Sequence, residues 1–479
     1  MAEYVTSVGM EVHAELSTRS KMFCRCPVGF GGEPNTRVCP ICLGMPGTLP
    51  VPNKSAVEMV IRTALALNCQ ITLYSDFQRK NYFYPDLPKG YQVSQYTSPL
   101  GHSGFLEIPA KNGGTKKIGI RRVHLEEDTG KLMHLPNGGS GVDYNRAGVP
   151  LMEIVTEFPP DINDPEEAKE YLVQLRQILI YLGVCDGKME EGSMRAEPNV
   201  SVRPSGSEKL GTKTELKNLG SFRSVQLGVN FEAARQADLL EKGIAVNQET
   251  RGWNEQKGES YLMRIKETEN DYRYFPDPDL VPMRFTATDV ERLRKTLPEL
   301  PLAKRQRYQA NLGLSDYDAT VLTSDLDLSA YFEAAVAAGG DPKLVCNWIT
   351  QDFAALLNQS GETPQSSKIA PKQLVELVSM ITKGTISGKI AKEIFPEMFA
   401  TGKSAQDVVT EKGLTQISDP AAIVDQVRAV LQSHGDVVAK YKSGQTNVKG
   451  FLVGQVMKAM AGRANPGLVQ KIIAEELDA

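Results

Sequence analysis

The sequence predicts an α+β protein in which a mainly antiparallel sheet domain is followed by an all-helical domain and a small helical tail domain. Up to about residue 290 the chain is rich in Gly, Pro and short segments of alternating polarity, which are typical of strands. After Pro282 these signals fade and apolar residues recur every three or four positions, which indicates helices. We therefore expect a sheet domain over residues 1–290, a helical domain over 291–405 and a helical tail over 406–479.

The composition is that of a globular protein without a membrane segment. The 479 residues are 41% hydrophobic and 23% charged, and the net charge is -4 at pH 7. This balance argues against a surface devoted to nucleic acid, although it permits a local basic patch. No apolar run is long enough to cross a bilayer, and the N-terminus lacks the basic and apolar stretches of a secretory signal. We expect a cytoplasmic protein with no membrane partner.

Helix signals interrupt the strands of the N-terminal part. Asp164 offers an N-cap, Pro165 occupies the first helical position, and apolar residues then recur at helical spacing until Gly183. Residues 53–67 and 221–243 follow a similar pattern. In the tail, Asn465 and Pro466 mark a further helix start.

Four of the seven cysteines form two close pairs, Cys24 with Cys26 and Cys39 with Cys42. An odd total with one tight cluster argues against a disulfide framework and for a reduced protein whose other three thiols are ordinary buried ones. Two pairs separated by twelve residues can bring four thiolates to one tetrahedral zinc ion. Four unligated thiols in a loop are the alternative. Because a four-sulfur site leaves no open position, the predicted zinc is structural.

Polar and apolar side chains lie on opposite faces of most predicted strands, because side chains alternate across a strand. The polar sets are Glu11, His13 and Glu15; His124, Glu126 and Asp128; Arg195, Glu197 and Asn199; and Lys213, Glu215 and Lys217. Glu153 differs, since it shares a face with Leu151 and Val155. A half-buried carboxylate is costly unless a cation or a donor lies nearby.

If these strands join one curved sheet, their polar faces form a cup of carboxylates, imidazoles and basic groups. Magnesium takes oxygen ligands, and Arg or Lys opposite them can hold phosphate, which suits phosphoryl transfer. The alternative is that each acidic residue faces solvent. The chain has no Walker loop and no G-x-G-x-x-G after a strand, so we expect any nucleotide to bind on the sheet. No serine has a lysine or histidine partner at a spacing that indicates a nucleophile.

Several stretches of the N-terminal part are long and specific. They are VGMEVHAEL (8–16), VCPICLGMPG (38–47), RKNYFYPDLPKGYQ (79–92), HLEEDTGKL (124–132), DYNRAGVPLMEI (143–154), EEGSMRAEPNVSVR (190–203), TELKNLGSFR (214–223) and DYRYFPDPDL (271–280). Together they closely resemble the B subunits of the tRNA-dependent aspartyl/glutamyl amidotransferases. The C-terminal part fits the helical and tail domains of that family more loosely.

The resemblance implies a function. Members of the family use ATP to phosphorylate the side-chain carboxyl of Glu or Asp misattached to tRNA(Gln) or tRNA(Asn), and ammonia then displaces the phosphate. A partner amidase subunit releases the ammonia from glutamine, and a small third subunit completes a heterotrimer. The resemblance also implies a catalytic cradle similar in fold to glutamine synthetase, and it explains why this chain shows no nucleophile.

The resemblance further implies roles for residues. By motif, the magnesium and ATP-site ligands are Glu11, His13, Glu126 and Glu153, and the four cysteines form the family's zinc knuckle. The residues of matching segments that are expected to contact ATP are Lys80, Tyr82, Lys89, Arg195 and Asn199.

One segment departs from the family pattern. Where the family often has Arg-Cys-Asp-Ala-Asn, this chain has Arg-Ala-Glu-Pro-Asn at 195–199. The acid is one methylene longer, which argues against a direct metal role for Glu197. The proline that follows, Pro198, predicts that this strand lies at an edge of the sheet.

The tail has a mild positive charge. Between residues 435 and 471 a single acid, Asp436, accompanies the basic residues Lys440, Lys442, Lys449, Lys458, Arg463 and Lys471. Because the family's tail domain is thought to meet tRNA, we expect Lys449 and Lys458 to contact it; a solvated helical surface is the alternative.

Three functions are compatible with these patterns. The first is the carboxyl-activating subunit of an amidotransferase. The second is a zinc-knuckle tRNA-binding subunit without catalysis, which would tolerate the loss of Glu11. The third is a ligase for free amino acids, like glutamine synthetase, which would turn over without tRNA.

Overall fold

The chain forms two compact units, Met1–Pro301 and Leu302–Ala479. This computed structural model describes residues 3–111, 113–135, 138–265, 272–414, 419–443, 445, 448–460 and 464–478. The first unit holds a large, mostly antiparallel sheet and the second is helical, so the structure confirms a mixed α+β fold with a helical C-terminal region.

The first unit is built around strands separated by a few helices. In chain order its described strands are β1 (Tyr4–Glu15), β2 (Gln70–Ile71), β3 (Tyr74–Ser75), β4 (Gln78–Asn81), β5 (Tyr91–Ser94), β6 (Gly101–Pro109), β7 (Thr115–Glu127), β8 (Lys131–His134), β9 (Ser140–Asp143), β10 (Pro150–Thr156), β11 (Met194–Pro204), β12 (Thr214–Lys217), β13 (Glu249–Asn254), β14 (Glu259–Ile265), β15 (Phe275–Pro276) and β16 (Met283–Arg284). Its described helices are α1 (Lys54–Ala66), α2 (Pro165–Tyr181), α3 (Phe222–Glu241) and α4 (Ala287–Arg294).

The main sheet contains nine of the described strands in the order β14-β13-β12-β11-β1-β10-β7-β6-β2. Neighbouring strands are antiparallel except β12 and β13, which are parallel. Strand β11 lies between β1 and β12, so the prediction of an edge strand is wrong. Met10 of β1 lies opposite Pro198 of β11, but the N–H of Met10 points the other way and donates to Thr156 Oγ1 of β10. A proline at 198 therefore removes no hydrogen bond from the β1–β11 ladder.

One face of the sheet packs into the core of the first unit. In β1 the apolar set predicted from alternation is fully covered: Val8, Met10, Val12 and Ala14 are buried. Helices α1, α2 and α3 pack against this side, at β7, β6 and β11 respectively. Because the apolar face is covered by helices, the polar face is left to form the site.

The predicted helix starts are confirmed by their caps. The Asp164 carboxylate accepts the backbone N–H groups of Glu166 and Glu167, with Pro165 in the first turn of α2. Asn53 and Ser221 cap α1 and α3 in the same way. Local capping chemistry thus sets these boundaries independently of the sheet.

The second unit is helical throughout its described residues. Its helices are α5 (Pro301–Leu312), α6 (Asp316–Thr323), α7 (Leu326–Ala337), α8 (Pro342–Trp348), α9 (Ala354–Ser360), α10 (Pro371–Thr382), α11 (Gly388–Thr401), α12 (Ala405–Lys412), α13 (Pro420–Ser433), α14 (Gly435–Lys442), α15 (Lys449–Ala459) and α16 (Pro466–Asp478), with a π-helical turn at Ile349–Phe353 between α8 and α9. Among the residues that the structure describes there, two separate hydrophobic cores form, one from Tyr308 to Val409 and one from Ile423 to Leu477. None of the helices in the described part of the chain is both long and apolar enough to cross a membrane.

Candidate active site

A row of polar side chains runs across the centre of the sheet. His13 of β1 lies opposite Arg195 of β11 on one side and Glu153 of β10 on the other. Glu153 in turn lies opposite His124 of β7. Strand pairing therefore aligns four polar residues from four strands on one face of the sheet, although 182 residues separate His13 from Arg195 in the chain.

The first carboxylate cluster consists of His13, Glu126 and Glu153, whose ligand atoms lie within 4.8 Å of one another. His124 Nε2 lies 3.2 Å from Glu153 Oε2 and 3.3 Å from Glu126 Oε1. Burial would raise the pKa of Glu153, but the neighbouring His124 and His13 outweigh it and hold that pKa well below its usual value. Burial lowers the pKa of His124, but Glu153 and Glu126 outweigh it and raise that pKa. The cluster is therefore charged and held between imidazoles.

Neighbouring polar groups fix the Glu126 carboxylate. Gln92 Nε2 donates to Glu126 Oε2 at 3.0 Å, and Ser94 Oγ donates to Oε1 at 2.8 Å. The Lys80 ammonium faces the same cluster: burial would lower the pKa of Lys80, but Glu126, Tyr274 and Glu153 raise it, so the lysine stays charged. Both carboxylate oxygens thus have hydrogen-bond donors, and a permanent positive charge stands beside them.

A second carboxylate cluster consists of Glu11, Glu197 and Glu215, again with ligand atoms within 4.8 Å of one another. Lys217 Nζ lies 2.6 Å from Glu197 Oε2 and 3.8 Å from Glu215 Oε1. Burial would raise the pKa of Glu197, but Lys217 outweighs it and lowers that pKa. Asn199 Nδ2 donates to Glu11 Oε1 at 3.0 Å. Three carboxylates thus meet beside the Lys217 ammonium, and such a group of oxygen atoms is typical of a divalent cation site.

The two clusters divide the ligand set implied by the sequence. His13, Glu126 and Glu153 lie together as expected, whereas Glu11 lies with Glu197 and Glu215. The sequence argued against a direct metal role for Glu197, and it did not single out Glu215 as a ligand. Both residues nevertheless occupy the polar faces of their strands, which is a signal that the sequence contains. Only strand register shows that these faces meet at Glu11, since Glu197 lies directly opposite Glu11 and Glu215 lies opposite Asn199.

Both clusters fit a hard divalent cation. Carboxylate oxygens with few protein ligands are typical of magnesium sites, where phosphate and water complete the shell. The buried Asn199 Oδ1 finds no hydrogen-bond partner among the described residues, although its amide nitrogen is held by Glu11. An unpartnered buried oxygen beside a carboxylate cluster is consistent with a ligand or water position at that point.

Two further acidic residues, Glu15 and Asp128, lie beside the row. The guanidinium of Arg195 donates to Asp128 Oδ2 at 2.6 Å, and Arg146 Nε lies 3.7 Å from the same oxygen. Burial of Glu15, together with the charge of Asp128 and a hydrogen bond between the two carboxyls, raises the pKa of Glu15 to about 7. Asp128 therefore anchors Arg195, which was predicted to contact ATP, and Glu15 is half protonated near neutral pH.

One open cavity of about 910 Å³ contains both clusters. Lys80, Tyr82 and Arg195, which the resemblance led us to expect at the ATP site, line this cavity. Aromatic side chains that were not among the predicted site residues form part of its wall: they are Phe83, Tyr84, Tyr96, Tyr272 and Tyr274. Tyr96 and Tyr274 stack with ring centroids 4.4 Å apart.

Lys89 lies elsewhere. It lines a second cavity of about 210 Å³ beside the cysteine cluster, where its ammonium pairs with Glu127. Glu126 and Glu127 are consecutive in β7, so their side chains point to opposite faces of the strand. Lys89 therefore contacts the carboxylate that faces away from the row.

The four sulfurs of Cys24, Cys26, Cys39 and Cys42 lie within 4.8 Å of one another. A hydrogen bond from Cys24, helped by the Lys21 ammonium 3.7 Å away, outweighs burial and lowers the pKa of Cys42 to about 5. Cys42 is then a thiolate at neutral pH, which is the form that binds metal. The cluster is consistent with a zinc site, and the other cysteines are buried free thiols as expected.

The tail lysines lie on α15. Lys449 begins the helix and is partly buried, whereas Lys458 lies in its last turn and is exposed. Leu452 and Val456 on the same helix are buried in the core that runs from Ile423 to Leu477. Arg463 lies outside the described residues.

Comparison with known proteins gives a consistent result. A family model described as the GatB/GatE catalytic domain matches residues 6–291, and one described as the GatB domain matches residues 330–477. The B subunit of the aspartyl/glutamyl-tRNA(Asn/Gln) amidotransferase of Thermodesulfovibrio yellowstonii is 53% identical over 471 residues, which cover 98% of each chain. The protein of the same name from Caldanaerobacter subterraneus subsp. tengcongensis is 54% identical over 99% of each chain. That from Moorella thermoacetica is 53% identical over 99% of this chain and all of its own.

The first match covers all but the first two residues of the nine-stranded sheet and includes both carboxylate clusters, and it defines this unit as an amidotransferase catalytic domain. The chain as a whole belongs to the family of aspartyl/glutamyl-tRNA(Asn/Gln) amidotransferase B subunits. The family and the enzyme class predicted from the sequence motifs are thereby confirmed.

Proposed function

We propose that this chain activates the side-chain carboxyl of misacylated Glu-tRNA(Gln), Asp-tRNA(Asn) or both. A carboxylate oxygen of the misattached residue attacks the γ-phosphorus of ATP, and ADP leaves. Ammonia then attacks the carbonyl carbon of the acyl phosphate, inorganic phosphate leaves, and a proton is released to give the amide. The ammonia comes from glutamine through a partner amidase subunit, and a small third subunit completes a heterotrimer in the cytoplasm.

The observation that supports this proposal is the pair of carboxylate clusters on one face of one sheet, within one cavity. Phosphoryl transfer requires positioning and neutralisation of charge more than covalent participation by the protein. His13, Glu126 and Glu153 would hold one magnesium ion, and Glu11, Glu197 and Glu215 another. When bound, magnesium neutralises the negative charge of the phosphates.

Basic side chains of this chain complete the proposed binding site. Lys80 faces the first cluster and Arg195 belongs to the row, so both can hold phosphate oxygens. Asp128 keeps the Arg195 guanidinium in place through the 2.6 Å hydrogen bond. The side chains thus bind and orient the two reacting groups and supply no nucleophile of their own.

We also propose a fold for the catalytic domain, a role for the tail and a metal for the cysteine cluster. The antiparallel sheet with a carboxylate face supports a cradle similar to that of glutamine synthetase. The two cores of the second unit support a helical domain and a helical tail that contacts tRNA. The four cysteines would hold a structural zinc.

The test uses the complete heterotrimer with Glu11→Gln and Glu197→Gln variants of this chain. Each substitution removes one negative charge from the second cluster and keeps the shape of the side chain. We expect ATP hydrolysis stimulated by misacylated tRNA to fall, and the magnesium concentration for half-maximal activity to rise at least about tenfold. Glu241→Gln, at the exposed end of α3, is the matched control.

The same assay separates the competing functions. A noncatalytic tRNA-binding subunit would show the same ADP formation in the variants as in the wild-type complex. A ligase for free amino acids would form ADP with glutamate or aspartate when tRNA is absent. Loss of amidation with unchanged glutaminase activity is the result that the proposal requires.

A further inference from the structure

Two exposed aromatic side chains stand together at the active-site cavity. Phe83 is 82% exposed and Tyr84 is 52% exposed, although both line the cavity that contains the carboxylate clusters. They lie in the loop between β4 and β5, directly after the cavity residue Tyr82. Large aromatic rings left open to solvent beside a polar site indicate a surface that contacts a ligand.

The backbone of this loop is held at several points. Tyr144 Oη donates to the carbonyl oxygen of Pro85 at 2.7 Å, and the N–H of Gly130 donates to the carbonyl oxygen of Asp86 at 2.8 Å. The N–H of Leu87 closes a turn on the carbonyl oxygen of Tyr84 at 3.0 Å. Because backbone contacts set the loop, the rings need not pack inward to stabilise it.

Gly90 supports the position of the Phe83 ring. A Cβ atom at Gly90 would lie 3.2 Å from Phe83 Cε1, and the backbone there has a φ of +74°. The ring therefore rests with one edge against the backbone of the loop, while most of its surface stays open. This arrangement presents a ring face before any ligand arrives, which lowers the entropy lost on binding.

The covalent structure of the proposed substrate, a misacylated tRNA, brings nucleotides to the mouth of this cavity. The carboxyl group that reacts belongs to an amino acid esterified to the ribose of the last nucleotide of tRNA. When that carboxyl lies at the carboxylate clusters, the ester and the last nucleotide are only a few bonds away and must occupy the mouth of the same cavity. The bases of this unpaired end are free to stack on protein side chains.

We propose that Phe83 and Tyr84 form a stacking platform for unpaired bases at the acceptor end of the misacylated tRNA. The proposal rests on the proposed function and names the two residues that would hold this end of the substrate. Aromatic stacking accepts any base, because every base has a π face. The platform therefore positions the aminoacyl end without reading its sequence, and recognition of the tRNA body falls to other surfaces.

The test measures steady-state kinetics of the heterotrimer with Phe83→Ala and Tyr84→Ala. Loss of one stacked base should raise the KM for misacylated tRNA by roughly 5- to 150-fold, while the KM for ATP and tRNA-independent glutaminase activity stay unchanged. Phe83→Tyr keeps a ring and should stay close to wild type. Phe30→Ala is the matched control, because Phe30 is 79% exposed and is absent from the lining of this cavity.

A second measurement ties the effect to the acceptor end and does not depend on turnover. Deacylated tRNA and the same tRNA trimmed of its unpaired 3′ nucleotides are compared for binding to the wild-type complex and to the Phe83→Ala complex. Trimming should weaken binding to wild type and have little effect on the variant. An equal trimming effect in both, an unchanged KM for tRNA, or a rise in the KM for ATP instead would overturn the platform. If the wild-type complex forms no ADP with misacylated tRNA, the proposed function fails, and the trimming comparison still decides whether the rings bind RNA.

Discussion

The Glu15 carboxyl makes the stability of the first unit depend on pH. Its pKa is raised from its ordinary value of 4.5 to about 7 by burial and by the neighbouring Asp128. A carboxyl with a raised pKa contributes stability that is complete below its unfolded-state pKa and is lost as the pH rises through its folded-state pKa. The wild-type protein should therefore lose stability as the pH rises from about 4.5 to 7 and change little from this source above that.

The substitution Glu15→Gln isolates this effect. Glutamine keeps the size and the donor capacity of the protonated carboxyl but cannot ionise, so the variant should retain the stability that wild type loses. With pKa values of 4.5 unfolded and about 7 folded, ionisation of Glu15 lowers the free energy of unfolding by about 2.5 kcal/mol between pH 5 and pH 8. The difference in unfolding free energy between variant and wild type should grow by that amount.

The assay is denaturant unfolding of both proteins in magnesium-free buffer at several pH values. The chain has two tryptophans. Trp253 lies buried in β13 of the same sheet as Glu15, whereas Trp348 belongs to the second unit. A Trp348→Phe background in both proteins makes the fluorescence report on the first unit alone.

The comparison subtracts the titrating groups that do not contact Glu15, because those groups behave alike in the two proteins. Glu241→Gln removes an exposed carboxylate at the end of α3 and serves as the control for a charge change outside the buried pair. If the difference in unfolding free energy between Glu15→Gln and wild type stays constant from pH 5 to pH 8, the raised pKa of Glu15 beside Asp128 is refuted.

Two further predictions concern the tail and the cysteine cluster. Charge reversal at Lys449 and Lys458 should weaken the affinity of the heterotrimer for tRNA, because each of these cations is expected to neutralise a phosphate. Filter binding measures the affinity, and tRNA-independent glutaminase activity should stay intact. Unchanged tRNA affinity would contradict this role of the tail. Cys42→Ser should reduce bound zinc from about one per chain to a small fraction, measured by metal analysis of the purified protein, because one of four thiolate ligands is lost. Cys69→Ala, which changes a buried thiol outside the cluster, should leave the zinc content unchanged.

Patterns within single segments predict local structure correctly in this chain. Asp164 and Pro165 start α2 because a side-chain acceptor and a residue without an N–H suit the first turn of any helix. In β1 the alternation that covers Met10 and exposes Glu11 to the site follows from strand geometry alone. Such features depend on neighbours within a few residues, so the sequence contains all the information that they need.

Pro198 illustrates where that reasoning fails. A proline in a strand predicts an edge, because it removes one hydrogen-bond donor from the sheet. In this fold the opposite residue, Met10, directs its N–H to β10, and the missing donor costs the β1–β11 ladder nothing. The neighbouring strand to which each backbone N–H points depends on strand register, and register is set by contacts between residues distant in sequence.

By itself, the sequence determined which side chains lie on the polar face of each strand, where the helices begin and which cysteines lie close together. Only the tertiary structure decided that His13 meets Glu153, that Glu11 meets Glu197 and Glu215, and that Lys89 turns to Glu127 outside the row. The physical reason is the same throughout. The face of a side chain follows from local backbone geometry, whereas its partners across a sheet follow from strand order and register, which are set by the packing of the whole unit.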